Sequence, residues 1–277
     1  MTSLGQVELG SVVSVWRYPV KSMLGEEINA AEVTARGLVG DRAYALIDSA
    51  DGKAATAKNP RKWPRLFDFR ATLTTTVAGA AAPAVRIELP DGAVVTSDQG
   101  DVDRLLSSAL GREVSLRAAG SGAVGAEEYW PDLEGLDYRD TVTDFTLPEG
   151  TFFDLAMVHL LTTATLDRLR ELSPESRFEP RRFRPNIVVA PASGEKDFAE
   201  NAWVGQTLAI GEQVRLNITA PCGRCVMTTL AQGDLPGDAG VLRTAARHNK
   251  VKVGVYAAVA RGGTIRRGDP VRLSRAG

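Results

Sequence analysis

The sequence predicts a mainly β chain with a few helices, of the α+β kind. Three observations predict it. Short runs rich in Val, Ile and Thr recur in both halves, at 7–16, 28–35, 42–48, 85–89, 207–210 and 214–219. Turn dipeptides punctuate them: Asp51-Gly52, Asp91-Gly92 and Gly211-Glu212. Only three stretches carry helical spacing. Short strands separated by turn residues favour barrels or sandwiches over a doubly wound sheet.

The elements follow in order. Residues 7–16 are Val-rich and partly alternating, and 85–89 and 93–96 flank the Asp91-Gly92 turn as a hairpin. The clearest helix is 101–110. Val102, Leu105, Leu106, Ala109 and Leu110 share one face, Asp98 caps it and Gly111 ends it. A second helix runs over 163–172, with Leu166, Leu169 and Leu172 on one stripe and Pro174 as its stop. A weaker third covers 241–248. Between the first two helices the composition shifts. Residues 120–125 are small and loose. From 127 to 144 seven acids (Glu127, Glu128, Asp132, Glu134, Asp137, Asp140 and Asp144) face Arg139 alone. That stretch reads as a linker or long surface loop near a domain boundary. It is either a solvated acidic loop or a lid or docking edge for a basic partner. The last third returns to β at 186–190, 207–210, 214–219 and 251–260, and closes with 268–273.

Composition excludes several classes. The chain has 277 residues, 44% of them hydrophobic and 24% charged, enough for a real core in one large domain or two small ones. Lys plus Arg total 33 against 34 for Asp plus Glu, which rules out a bulk electrostatic nucleic-acid binder. No apolar run approaches the roughly 20 residues of a membrane-spanning helix. The longest, 152–161, is strand-sized and carries Asp154 and His159. No basic segment precedes an apolar core at the N-terminus, so no secretory signal is expected. Two cysteines cannot staple a secreted scaffold of this size. The expectation is a soluble protein of the reducing cytoplasm.

The two cysteines stand together in Pro221-Cys222-Gly223-Arg224-Cys225. Four readings stay open. A structural zinc site needs four ligands, and only His159 and His248 could join, without ligand spacing. A redox pair wants its first cysteine at a helix N-terminus, whereas the β-branched run 226–230 reads as a strand. Two inert buried thiols are the bland reading, weakened by the Pro/Gly turn and by Arg224, whose guanidinium favours a thiolate. The fourth is one thiolate on a soft transition metal whose other ligands come from a cofactor.

Other candidates are individually weak. Lys21 and Ser22 follow Pro19 in a turn and could hold a phosphate, or be plain surface. Thr162, Thr163 and Thr165 open the second helix, as an anion site or an ordinary cap. Arg181, Arg182, Arg184 and Asn186 precede a strand and suit planar anionic groups, or are surface charge. Lys58, Arg61 and Lys62 form a second basic cluster. His159 reads as a satisfied core histidine.

The order of these pieces is more telling. Tyr18-Pro19-Val20-Lys21-Ser22, Gly40-Asp41-Arg42, Phe183-Arg184-Pro185-Asn186-Ile187, Cys222-Gly223-Arg224-Cys225 and Gly268-Asp269-Pro270-Val271 resemble the MOSC family. The resemblance is to its branch with an N-terminal β-barrel domain, which includes the mitochondrial amidoxime-reducing component and bacterial relatives, and it spans roughly residues 9 to 273. It implies an N-terminal β-barrel-like domain, residues 1–125, packed on a MOSC β-barrel domain, residues 126–277. It also implies a molybdenum cofactor, in which a pterin dithiolene supplies two sulfurs to molybdenum and one protein cysteine supplies another. Cys225 matches that ligand, and Cys222 becomes its neighbour. Lys21, Ser22 and Lys58 would hold the pterin phosphate. Lys58 stands in Thr56-Ala57-Lys58 where the family typically has arginine, so the bidentate fork is lost. Thr162, Thr163 and Thr165 correspond to a segment lining the cofactor, Arg184 and Asn186 to the pterin side, and Arg224 joins the cofactor-binding set.

The activity so implied is reduction of small N-hydroxylated or N-oxide substrates. No cluster-binding set of cysteines accompanies the motif, so electrons are expected from a separate protein of ferredoxin or flavin-reductase type. The acidic stretch could dock such a donor only if it were basic, and ferredoxins are usually acidic. The run 226–233 lacks the acidic residue and proline that relatives often carry after Thr-Thr. The competing readings are a sulfur- or molybdenum-cofactor carrier without redox turnover, and a two-barrel module with inert thiols.

Overall fold

The computed structural model describes residues 7–75, 83–134, 136, 138–192, 194 and 196–274. Seven strands close into a barrel. Around it run Glu8–Arg17, Ile187–Pro191, Val158–Thr162, Lys252–Arg261, Val214–Gly223, Thr207–Ile210 and Pro270–Leu273, the last pairing back onto the first. Every pairing is antiparallel except that of Val158–Thr162 with Ile187–Pro191. A parallel pair needs a crossover. Two helices lie on it, α2 (Thr163–Leu172) and α3 (Pro180–Phe183), numbered after α1 (Val102–Leu110). Alternate residues of the strands fill the barrel, among them Val12, Val15, Leu160, Val189, Leu216 and Val255.

A second core belongs to the N-terminal half. Strands Arg70–Thr75, Ala84–Glu88 and Val94–Thr96 form one small sheet, and Tyr44–Asp48 pairs with Val114–Ala118. With α1 they bury Met23, Leu46, Trp63, Phe69, Ile87 and Leu106. Met227 is buried in that same core, and Cys225 packs against it. The cysteine turn therefore belongs to the barrel by pairing and to the N-terminal core by packing. Strand pairing also crosses the proposed division at residue 125, since Glu8–Arg17 lies in the barrel and Ala30–Thr34 pairs with Gly263–Arg266.

The helices form where their spacing predicts, with α4 over Gly240–Asn249. Gly111 ends α1 in the left-handed region, φ 68°. Asp98 does not cap it. The N-cap is Asp101, without a side-chain bond, and the Asp98 carboxylate accepts the Thr96 hydroxyl instead. Two larger corrections concern the middle of the chain and the cysteine turn. Residues 127–144 are not a linker. Gly125–Trp130 and Thr141–Thr146 form an antiparallel hairpin whose register sets Glu127 opposite Asp144. Like charges so placed repel. Lys53 resolves this by donating to both, at 3.0 and 2.6 Å. Asp137 lies outside the described residues. The run after Cys225 is a 3-10 turn, Val226–Thr229, not a strand.

One buried carboxylate ties the two halves together. Asp41 accepts the Tyr18 amide at 2.7 Å, two bonds from Arg42 and one from Asn186 Nδ2 at 2.9 Å. Asp41→Ala strips these donors of their partner. It is expected to lower unfolding free energy by about 3 kcal/mol, and Asp41→Asn by less, measured by urea denaturation.

Candidate active site

A cavity of about 620 Å³ opens where the barrel, the N-terminal half and the acidic hairpin meet. Its walls differ in character. One is cationic, with Lys21, Arg42, Lys58, Arg184 and Arg224. Another is apolar, with Trp130, Leu136, Phe145, Phe152, Phe153 and Leu155. Cys225 lines the cavity as well, half-buried.

The turn after the first strand supplies Lys21 and Ser22. Pro19 leaves the strand, and Ser22 sits at φ 63°. The Ser22 Oγ accepts the Ala57 amide at 3.0 Å, which brings the Lys58 turn alongside. Lys21 Nζ donates to the Phe152 carbonyl at 3.1 Å and to Asp154. Asp154 also meets Lys58 at 3.4 Å. One carboxylate thus bridges two ammonium groups in the cavity wall. Burial alone would raise its pKa, but Lys21 and Lys58 outweigh that and hold the carboxyl well below its usual range.

Arg184 follows α3 in a left-handed conformation, φ 53°, and donates to the Met23 carbonyl at 2.6 Å. Its guanidinium lies 4.2 Å from the Tyr18 ring centre, and that of Arg42 lies 4.5 Å from it. The ring face attracts both cations. Burial brings Arg184 down to about 10, so it stays charged at neutral pH. Asn186 has both of its N–H groups engaged. Its Oδ1 accepts the His159 amide at 3.0 Å, and its Nδ2 serves Asp41 and the Trp16 carbonyl.

The cysteines differ sharply. Arg224 Nη1 donates to Cys222 Sγ at 2.7 Å, and Nη2 to the Phe183 carbonyl at 2.8 Å. Its Nε–H is buried and finds no partner among the described residues. Burial opposes ionisation of Cys222, yet Arg224 and His159 outweigh it and bring the thiol down to about 6. At Cys225 burial dominates and pushes the thiol up to about 11, with Lys58 pulling the other way. His159 is buried, as expected, but it also lines the cavity, its Nε2 3.2 Å from the Val253 carbonyl. Gly254 leaves room for that ring. At φ 83°, a Cβ there would fall 2.2 Å from His159 Nε2.

Lys21, Ser22, Lys58, Arg184, Asn186, Arg224 and Cys225 therefore meet in one cavity. Thr162, Thr163 and Thr165 do not line it. Thr162 caps α2 through the Thr165 amide, and both hydroxyls donate to Glu200, at 2.5 and 2.6 Å. Burial raises the Glu200 pKa, and the two hydroxyls only partly offset it. Thr162 and Thr165 serve a buried carboxyl under the helix, not an anion in the cavity.

Other contributors have roles that the sequence did not indicate. Asp154 hides in an apolar run. Arg182, within the basic cluster, is wholly buried. Its guanidinium donates to the carbonyls of Arg177, Thr228, Leu230 and Pro236, and so grips the segment that follows Cys225. Arg181 is the surface member, paired with Glu179 and Asp234. Lys250, Lys252 and Tyr256 complete the rim.

A family profile described as the MOSC domain matches residues 149–272, and one described as the MOSC N-terminal beta barrel domain matches 9–113. The chain is a MOSC-domain protein with an N-terminal MOSC β-barrel domain. Its relatives include the mouse mitochondrial amidoxime-reducing component 1, 28% identical over 297 residues, covering 96% of this chain and 83% of the relative. The human component 1 is 28% identical over 304 residues with the same coverage, and component 2 of Macaca fascicularis is 27% identical over 302, covering 95% and 83%. Among solved structures, the YUAD protein from Bacillus subtilis aligns over 97% of both chains at 11% identity and TM-score 0.49. Among the described residues of this MOSC chain, no helix is long and apolar enough to cross a membrane.

The thiol contrast is directly measurable in the metal-free protein. The thiolate ultraviolet absorbance is expected to show a step near pH 6 that disappears in Cys222→Ser. Arg224→Met removes the nearby cation and should move that step to higher pH.

Proposed function

We propose that this chain is a molybdenum-cofactor oxidoreductase that reduces small N-hydroxylated or N-oxide substrates with electrons from a separate protein. One observation carries the reading: a single thiol, Cys225, in a cavity lined by cations, among them Arg224, whose buried Nε–H has no partner among the described residues. Among the described residues, no group of three His, Cys, Asp or Glu side chains could hold a metal ion. A metal at Cys225 therefore needs most of its ligands from a cofactor, and a soft thiolate suits a soft, redox-active one. An anionic, hydrogen-bonding cofactor also fits the excess of donors. The curated relatives are named for amidoxime reduction, which supports the reductive part of this reading.

When bound, the cofactor would supply two-electron redox chemistry at molybdenum. The chain's own residues do the rest. Cys225 Sγ would ligate the metal. Since burial raises its thiol to about 11, loading displaces a proton that the neighbouring Lys58 helps to expel. Lys21, Lys58 and the Ser22 hydroxyl would hold the phosphate. Asp154, now between the two lysines, has to share them or yield. Arg184, Asn186 and Arg224 would orient the pterin. Arg184 is pinned by its bond to the Met23 carbonyl, so its remaining N–H groups are presented as fixed donors, while Asn186, whose N–H groups are both taken, has only its carbonyl oxygen to offer. The apolar wall of Trp130, Phe145 and Phe153 excludes water beside a flat substrate.

Protein from a host that makes the cofactor is expected to carry molybdenum and pterin in about equal amounts. Cys225→Ala should keep its circular dichroism spectrum, lose the metal and no longer reduce an N-hydroxylated base with reduced methyl viologen. A mutant as fast as the parent overturns the ligand assignment. Retained cofactor without turnover, with labelled sulfur on Cys225, would mark a sulfur carrier instead.

A further inference from the structure

A donor protein has to approach the mouth of the cavity, and the acidic hairpin is poorly suited to receive one. Its carboxylates are engaged within the chain: Glu127 and Asp144 with Lys53, Glu128 with Lys58, and Asp140 with Arg61. The other side of the mouth is different. On α4, Arg243 and Arg247 stand one turn apart, and Lys250 continues the same stripe at i+7. All three are exposed. Lys250 and Lys252 line the cavity itself. None of these four cations forms an ion pair with a described residue, whereas most lysines and arginines around the hairpin do.

The backbone holds this rim in a strained form. Lys250 and Val251 are both left-handed, at φ 50° and 65°. A β-branched residue there is costly and persists only when its surroundings over-determine it. Here the Val251 carbonyl accepts the Arg224 amide at 2.8 Å, and Lys252 pairs with Gly223. The rim is thus hydrogen-bonded to the cysteine turn itself. Leu155, 68% exposed, stands at the same mouth. An apolar centre with a charged rim is the anatomy of a transient protein interface.

We propose that α4 and the 250–252 turn form the docking surface for the electron donor, and that this donor is a small acidic one-electron carrier protein. The inference rests on the oxidoreductase reading above. Charge decides the partner: the unpaired stripe attracts an acidic protein, while the hairpin across the mouth, its carboxylates already paired, offers it no such patch. Cations near a helix C-terminus also favour the helix dipole, but that does not account for Lys252 in the cavity wall beyond the helix. The electron count closes with two encounters. Two reduced one-electron donors are oxidised, two protons come from solvent, the substrate N–O bond breaks, and an N–H group and water form.

The test uses the holoprotein, reduced and oxidised plant-type [2Fe–2S] ferredoxin as the probe, and the charge reversal Arg243→Glu/Arg247→Glu. Ferredoxin is expected to bind the parent more weakly as salt rises. The double variant should bind it roughly tenfold or more weakly, with a matching rise in the ferredoxin KM. Its viologen-driven rate should equal the parent's, since neither residue lines the cavity. Arg86→Glu, an exposed cation on the N-terminal sheet, should change nothing. Equal ferredoxin binding by parent and double variant overturns the proposal. So does loss, in that variant, of binding to phosphatidylserine vesicles alone, which would assign the stripe to a membrane surface. A parent that binds ferredoxin but reduces nothing, even with viologen, sinks the oxidoreductase reading while the binding data still report on the stripe.

Discussion

A carboxylate removed from water must be met by donors, and the Asp41 side chain is completely buried. Its donors come from three segments far apart in the chain: the Tyr18 amide, the Arg42 guanidinium and the Asn186 amide. Each of these segments forms part of the cavity wall. Because leaving any donor or acceptor unmatched costs free energy, the positions of all three are coupled. The effect spreads outward. Arg42 and Arg184 enclose the Tyr18 ring, Arg184 reaches the Met23 carbonyl, and Asn186 holds the His159 backbone. The cationic wall is therefore pre-arranged by contacts that no ligand has to make.

The cysteine turn is held from two directions. Met227 is buried in the N-terminal core, so apolar packing draws the turn toward that half. Arg182 grips the carbonyls of Thr228, Leu230 and Pro236 from the other side. A buried guanidinium without a carboxylate can be tolerated only if carbonyl acceptors surround it, and a tight turn with free carbonyls provides them. The result places Cys225 in the cavity while Cys222, three residues earlier, is buried against Arg224. Two thiols of one short motif thus acquire opposite acid–base character from burial and a single cation.

Much of the architecture was legible. The hairpin at Asp91-Gly92, the helices α1 and α2 and the strand pair across Gly211-Glu212 follow from local spacing and turn chemistry, and local interactions are what sequence patterns record. The acidic stretch was not legible as a hairpin. Its charges argue for solvent until Lys53, Lys58 and Arg61, more than sixty residues earlier, are brought beside it. Thr162 and Thr165, at the start of α2, illustrate the opposite error. They look like a helix-terminus anion site, but the buried Glu200 from a distant turn takes their hydroxyls.

By itself the sequence determined the mainly β class, the local elements and the ordered motifs by which a MOSC chain is recognised, because these depend on neighbours in the chain. Only the tertiary structure decided which basic residues face the cavity, which are buried as clamps and which remain unpaired at its rim. Arg181, Arg182 and Arg184 are nearly indistinguishable as letters, yet one is surface, one grips the cysteine segment and one stacks on Tyr18. The reason is physical: the fate of a charge depends on its desolvation and on partners supplied through space, and neither is written in its sequence neighbours.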